Sequence, residues 1–543
     1  MIRRFVVAAL VAIAVAMAGA VGDGAPVTGD GLRFEITFAA SARSEAVTGR
    51  VYVAISREST LQRPPIQQAS PTGVPLFGKA VEALRPGETV IIDGSAFGHP
   101  LQSLRDLPEG EYWVQAFVNV YEKFARADGH TIWLHMDQWE GQQWNRSPGN
   151  LYSEPARVRI DPANGGVVKL VCDKTIPRID VPADTEYVKH IKFQSATLSK
   201  WWGHPIFLGA TVLLPKDYDK HPGVKYPVNY IQGHFSTQPP GGFGRGQEFD
   251  RFWLAENTPR FLYVTLQHPS PYYDDSYGVN SANNGPYGDA IIQELIPAVE
   301  EKFRAIREPW ARQLSGGSTG GWIALAQQIL YPDFYGGTWA SCPDSVDFRY
   351  HQIVNIYDDP NAYWKDMGWM RVERPNQRQP DGNIRSMMKD ENWYELVVGD
   401  RSRSGGQWDI WEATYGPAGA DGYPKRIWDK KTGVVDKQVA AYWKEHYDLR
   451  SILETTWTTL GPKVANKLHV YIGENDSYYL DDAVHLLDDF LRKAANPPFA
   501  GEVVYQPRAP HCWGPRAPEL AQKMTAHIEK TAPAGADLKS WRY

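Results

Sequence analysis

Residues 313–325 read QLSGGSTGGWIAL, and the fold turns on what Ser318 is doing there. The pentad GGSTG at 316–320 satisfies G-x-S-x-G, a pattern with a steric reason behind it. A nucleophile on a tight strand-to-helix turn sits in a strained backbone conformation. Its neighbours must lack side chains if strand and helix are to approach. The same turn faces a helix N-terminus, whose unpaired N–H groups can bind an oxyanion. A glycine-rich loop with a spectator serine would spell the same letters, so the flanks decide. RQL before the turn is strand-like and GWIALAQQIL after it is helical.

Outward from this turn, strands and helices alternate. FLGATVLLP, YPVNYIQG and RFLYVTLQ are apolar, strand-like runs. GDAIIQELIPAVEEKF has helical spacing and opens at Asp289, a good N-cap type. After the serine helix come a strand at GGTWAS, a strand at KLHVYIG, a helix at LDDAVHLLDDFLRKA, a strand at EVVYQP and a helix at PELAQKMTAHIEK. Such alternation calls for a parallel sheet covered on both faces. The stretch from about 345 to 460 is different, rich in Trp, Tyr, Asp, Gly and Pro, and far longer than a plain crossover needs. It reads as an insertion over the carboxyl end of the sheet, with a helix at QVAAYWKEHY.

A nucleophilic serine needs a base, and the base needs an orienting acid. In this architecture they follow in the order Ser, Asp or Glu, His, each after a strand. Asp476 follows KLHVYIG and His511 follows EVVYQP, in that order. Glu474, Asp481 and Asp482 compete for the acid role, the last two from inside the next helix. The second oxyanion donor is expected from YPVNYIQGHFSTQPPGGFGRG, at the N–H of His234 or Phe235, with the N–H of Thr319 as partner. His234 is also a rival base. Trp322, Tyr478 and Trp513 are candidate substrate walls.

The N-terminal part has another period. LRFEITF alternates apolar and polar residues as a half-buried strand does. GRVYVAIS, ETVIIDG, EYWVQAFVNVY, HTIWLHM, ARVRID and GVVKLVC follow, separated by turns. About seven short strands suggest an all-β, immunoglobulin-like sandwich over 25–175, joined by a linker at 176–199 to an α/β-hydrolase domain over 200–533. The Trp-rich loop 136–150 is either a packed connection or a ligand contact. His130, His135 and Asp137 lie close in sequence, but without a metal-ligand spacing.

At 543 residues, 43% hydrophobic and 22% charged, the chain is globular and has room for two or three domains. Its net charge of −6 gives no electrostatic case for nucleic acid or an anionic membrane. The opening MIRRFVVAALVAIAVAMAGAVGDG has the layout of a secretory signal over 1–20, too short for a membrane span. The expected location is therefore periplasmic or extracellular. Three cysteines permit one disulfide there. Cys342 and Cys512 both fall at the carboxyl edge of the sheet, where a bridge would brace the histidine loop; the alternative is two buried thiols.

Taken together, these segments resemble a secreted α/β-hydrolase of the putative-esterase family, the esterase D and feruloyl esterase group. ATVLLPKDYDKHPGVKYPVNYIQG is similar to that family's opening strands, whose closing His-Gly pair reads Gln232-Gly233 here. ELIPAVEEKFR is similar to its helix before the nucleophile strand, SGGSTGG to its nucleophile turn, and HCW to its histidine with a tryptophan two places on. The double glycine is equally similar to prolyl oligopeptidase-type peptidases, but residues 31–172 are too few for their propeller. The resemblance implies ester hydrolysis by Ser318, His511 and Asp476 on a small-molecule or carbohydrate ester, with no metal or organic cofactor. A peptidase on the same residues and a glycan-binding protein with a relic hydrolase domain are the alternatives.

Overall fold

The computed structural model describes residues 31–543. The expected signal segment lies outside them. In the N-terminal part, Arg33–Phe38 buries every second side chain. It lies between Val167–Cys172 and Val90–Ile92 in a three-stranded sheet. A seven-stranded sheet faces it, centred on Val47–Ser56 and Gly110–Val120. Phe34, Ile36 and Leu170 from the first sheet meet Val51, Val53 and Val114 from the second in one apolar core. Two expectations change here. Leu76–Leu84, absent from the strand assignments above, is a full partner of Val47–Ser56. Thr131–Leu134 is a strand, but among the described residues it pairs only with Glu122–Ala125. That hairpin leaves the two-sheet core, and Phe124 packs on Trp202 of the next part at 5.2 Å.

The second part is an eight-stranded sheet: β1 (Val188–Gln194), β2 (Phe207–Leu213), β3 (Val228–Gln232), β4 (Leu262–Gln267), β5 (Arg312–Gly317), β6 (Gly337–Ser341), β7 (Leu468–Gly473) and β8 (Glu502–Gln506). Its order is β1-β2-β4-β3-β5-β6-β7-β8, antiparallel through β1, β2 and β4 and parallel thereafter. The two strands flanking the serine turn are buried almost throughout, as strands covered on both faces are. Helix Thr319–Leu330 is buried along almost its whole length.

Three boundaries need correction. The expected linker 176–199 contains β1, an edge strand paired along its whole length with β2, and the start of helix Ala196–Trp202. The chain beyond 533 belongs to the same core, because Trp541 is fully buried against Phe261. Asp289 does not cap its helix, which starts at Tyr287. Asn280 Oδ1 accepts the Asp289 N–H instead, while the Asp289 carboxylate accepts from Tyr331.

Between β6 and β7 the insertion builds two hairpins (Trp364–Glu373 and Pro375–Met387) and helices Met388–Val398, Gln407–Tyr415, Lys437–His446 and Leu449–Val464. Asp436 and Asp448 cap the last two by accepting backbone N–H groups. The insertion's interior is partly ionic. Buried Lys430 lies 2.7 Å from Asp409 and 3.2 Å from Glu395. Glu395 also accepts the N–H groups of Trp408 and Asp409, which start helix Gln407–Tyr415. Trp408, Trp411, Trp428 and Trp443 surround His351 beside this cluster.

Candidate active site

β5 ends at Gly317, and the next residue, Ser318, takes φ 56° and ψ −126°. A non-glycine residue there stores strain that surrounding bonds must hold. The Ser318 N–H donates to Ser341 O, and its carbonyl accepts from Gly321 and Trp322. The glycines allow the approach. A Cβ on Gly316 would lie 2.3 Å from Gly320 O, and one on Gly320 would lie 2.1 Å from Gln232 O. Gln232 is locked in turn. Its Nε2 donates to Gln327, and its Oε1 is 3.0 Å from His268 Nε2.

Ser318 Oγ is 3.0 Å from His511 Nε2, and His511 Nδ1 is 2.7 Å from Asp476 Oδ2. His511 comes from the loop after β8, beside Cys512, which is joined to Cys342 by a disulfide. Asp476, fully buried after β7, accepts at Oδ1 from the N–H groups of Tyr478 and Leu480. The insertion reaches down to this loop: Arg378 donates from Nε to Asp476 O and from its backbone to Ser477 O, both at 2.9 Å. The competing acid Asp481 pairs with Arg378 at 3.4 Å rather than with His511. Glu474 and Asp482 make no contact with His511 among the contacts described.

His234 is not placed as a rival base. Its Nδ1 is 3.1 Å from Asp274 and 3.8 Å from Asp275. Burial alone would lower its pKa, but the hydrogen bond and charge of Asp274, with the charges of Asp275 and Asp344, raise it to about 9. One ring nitrogen and two carboxylates within 4.8 Å of each other could also hold a metal ion. The Phe235 ring packs edge-on against Trp139 at 5.0 Å, so the Trp-rich loop buttresses the strand-end loop of β3. Thr319 heads the helix, where its N–H has no intrahelical acceptor to use.

A cavity of about 460 Å³ opens over Ser318. Tyr478 lines it, with its ring 4.9 Å from that of His511. The other two expected walls are elsewhere. Trp322 is fully buried between Tyr277 and Tyr415, on the inner face of its helix. Trp513 packs toward Tyr471 and is not among the lining residues. The lining that sequence reasoning missed comes mostly from the insertion: Gln352, Asn376, Glu391, Gln407, Trp408 and Trp411, with Asp344 from the loop after β6.

Residues 208–407 match the model of the family described as "Putative esterase". Over these residues the chain is similar to that esterase family. With it comes the enzyme class, a carboxylic ester hydrolase on an α/β-hydrolase fold. The match contains Ser318 and the first part of the insertion and stops before Asp476 and His511. No curated protein matches the sequence. Among solved structures, the chain is similar to a ferulic acid esterase at 17% identity and TM-score 0.33, covering 63% of this chain and 96% of that one. It is similar to an S-formylglutathione hydrolase from Agrobacterium tumefaciens at 13% and 0.35, covering 64% and 97%. A prolyl endopeptidase gives 12% and 0.35, covering 84% and 61%.

Proposed function

We propose that the esterase domain works by an acyl-enzyme mechanism in which Ser318 attacks, His511 moves the proton and Asp476 orients His511. The observation that carries this reading is the unbroken line of contacts at 3.0 and 2.7 Å from Ser318 Oγ through the imidazole to a buried carboxylate. His511 takes the hydroxyl proton as the Ser318 Oγ–carbon bond forms, then gives it to the departing alcohol oxygen; water repeats the cycle and frees the acid. The Thr319 N–H and a backbone N–H at His234 or Phe235 hold the oxyanion. One such donor contributes about 2.7–4 kcal/mol, and the base contributes about 10²–10⁴-fold.

The protein is exported in this reading. The charged and apolar pattern of its first residues supports that, as does the Cys342–Cys512 bridge, a bond that persists in oxidising compartments. The two-sheet N-terminal part is read as an immunoglobulin-like module with a supporting role. Arg50 Nε donates to Val397 O of the insertion at 2.6 Å, and Trp139 backs Phe235. Hydrolysis of a short-chain p-nitrophenyl ester by the wild type and by Ser318→Ala tests the mechanism. Loss of turnover in the variant is expected, and equal turnover would refute it.

A further inference from the structure

Beside Ser318 stands a carboxylate that the triad does not use. Asp344 is 5% exposed, and its Oδ1 is 3.4 Å from Ser318 Oγ. Its Oδ2 accepts from Tyr277 at 2.6 Å and Thr319 at 3.2 Å, and its N–H donates to Ser318 O, so it is held in place. In its ionised form this carboxylate opposes ester cleavage as such, because the transition state builds a second negative charge on the carbonyl oxygen close by. Burial pushes the Asp344 pKa up, against the Tyr277 hydrogen bond and the charges of His511 and His234. The carboxylate becomes favourable when the substrate brings a positive charge of its own.

Other lining groups have the same polarity. Gln352 Oε1 and Asn376 Oδ1 are buried without a donor among the described residues, and both residues line the cavity. Glu391 adds a second carboxylate, which accepts from Ser386 at 2.8 Å. Trp408 and Trp411 offer indole rings, which attract cations. Among the lining donors, Gln407 Nε2 already engages Tyr277. An ammonium has three donors and no acceptor. The cation already present, His234, is engaged by Asp274.

We propose that the acyl group of the substrate carries an α-ammonium that seats against Asp344 and faces the amide oxygens, so that the enzyme selects esters of amino acids. The inference rests on the acyl-enzyme reading above. In the acyl-enzyme, a nitrogen one carbon beyond the carbonyl lies about 3 Å from Oγ. That is within reach of a carboxylate oxygen 3.4 Å from the same Oγ. The ammonium keeps its protons throughout. The ester C–O bond breaks, the alcohol leaves with the proton from His511, and water releases a free amino acid.

Three methyl esters provide the test at about pH 6, below the α-amino titration range: phenylalanine methyl ester, its N-acetyl derivative and methyl 3-phenylpropionate. The wild type is expected to favour the amino ester in kcat/KM by at least about 30-fold over both uncharged esters, a preference in keeping with charge-assisted hydrogen bonds. Asp344→Asn is expected to reduce that ratio at least tenfold, mainly through KM, and Asp344→Glu to keep part of it, with thermal melting to verify that both variants fold. A wild type that cleaves all three esters alike, or a ratio that Asp344→Asn leaves unchanged, would overturn the proposal. Failure of the underlying mechanism looks different: no ester is cleaved and Ser318 takes up no fluorophosphonate, in which case both fall.

Discussion

The floor of the cavity and its roof come from stretches of chain with different kinds of pattern. Ser318, Asp476 and His511 stand in loops at the carboxyl ends of β5, β7 and β8, on a sheet made of apolar runs. Gln352, Asn376, Glu391, Gln407, Trp408 and Trp411 stand on the insertion, whose hairpins and short helices share no single period. Ladder hydrogen bonds and apolar packing hold the floor, where each large side chain fully buried contributes about 1.5–3 kcal/mol. Buried charge holds much of the roof, with Lys430 between Asp409 and Glu395 beneath the helix that carries Gln407, Trp408 and Trp411. A sheet of this kind fixes where chemistry happens, and an insertion of this kind is free to decide on what.

The contrast can be broken first at the floor. Asp476→Asn leaves the packing nearly intact but lets an amide meet His511 Nδ1 and favour the wrong tautomer. A fall of about 10⁴-fold in kcat with little change in KM is expected; a loss confined to KM would move Asp476 out of the mechanism. The roof should break by a different route. Lys430→Met strands two buried carboxylates, a change that typically costs about 3–5 kcal/mol. Thermal unfolding read beside ester kinetics should show the melting temperature and KM disturbed while residual kcat suffers less. An unchanged melt would mean that the ionic cluster is not what holds the roof.

The seam between floor and histidine loop is covalent. Replacing Cys342 and Cys512 together with serine is expected to cost about 2–4 kcal/mol, measured by denaturant unfolding against the oxidised wild type. The smallest expected effect is at His234. Its folded pKa of about 9 exceeds the ordinary value near 6.5, so its pairing stabilises fully below about pH 6.5 and is lost as pH rises through 9. With the side chain half exposed, the gain is at most about 1 kcal/mol. The stability gap between wild type and His234→Gln should therefore close above pH 9, and a gap that widens there would contradict the pairing.

Much of the floor was legible in the sequence because its signals are local. Glycines around a serine state a close approach, and Asp476 and His511 each follow a strand-like run. The strand Leu76–Leu84 escaped because AVEAL carries no alternation; its middle is largely exposed while its ends are buried. β1 was read as linker because VKHIKFQ mixes lysines into an edge strand, where only one side needs covering. Trp322 and Trp513 owe their expected place as walls to nearness in sequence to Ser318 and His511. A helix turns such a neighbour inward as readily as outward, and Trp322 faces Tyr415. The roof residues gave no signal, since Gln352 and Asn376 acquire meaning only when chain far apart in sequence brings them over Ser318. One clue was available: Asp344 lies two residues beyond Cys342, in the strand-end loop after β6, where functional side chains of such sheets gather.

The central claim is that Ser318 is the nucleophile and His511 the group that activates it. Intact-mass and peptide mapping after exposure to a fluorophosphonate tests it most directly. The expected result is a single adduct on the peptide carrying Ser318, formed rapidly by the wild type and slowed at least about 10³-fold in His511→Ala. An adduct on another residue, or equally fast labelling of Ser318 without His511, would contradict it.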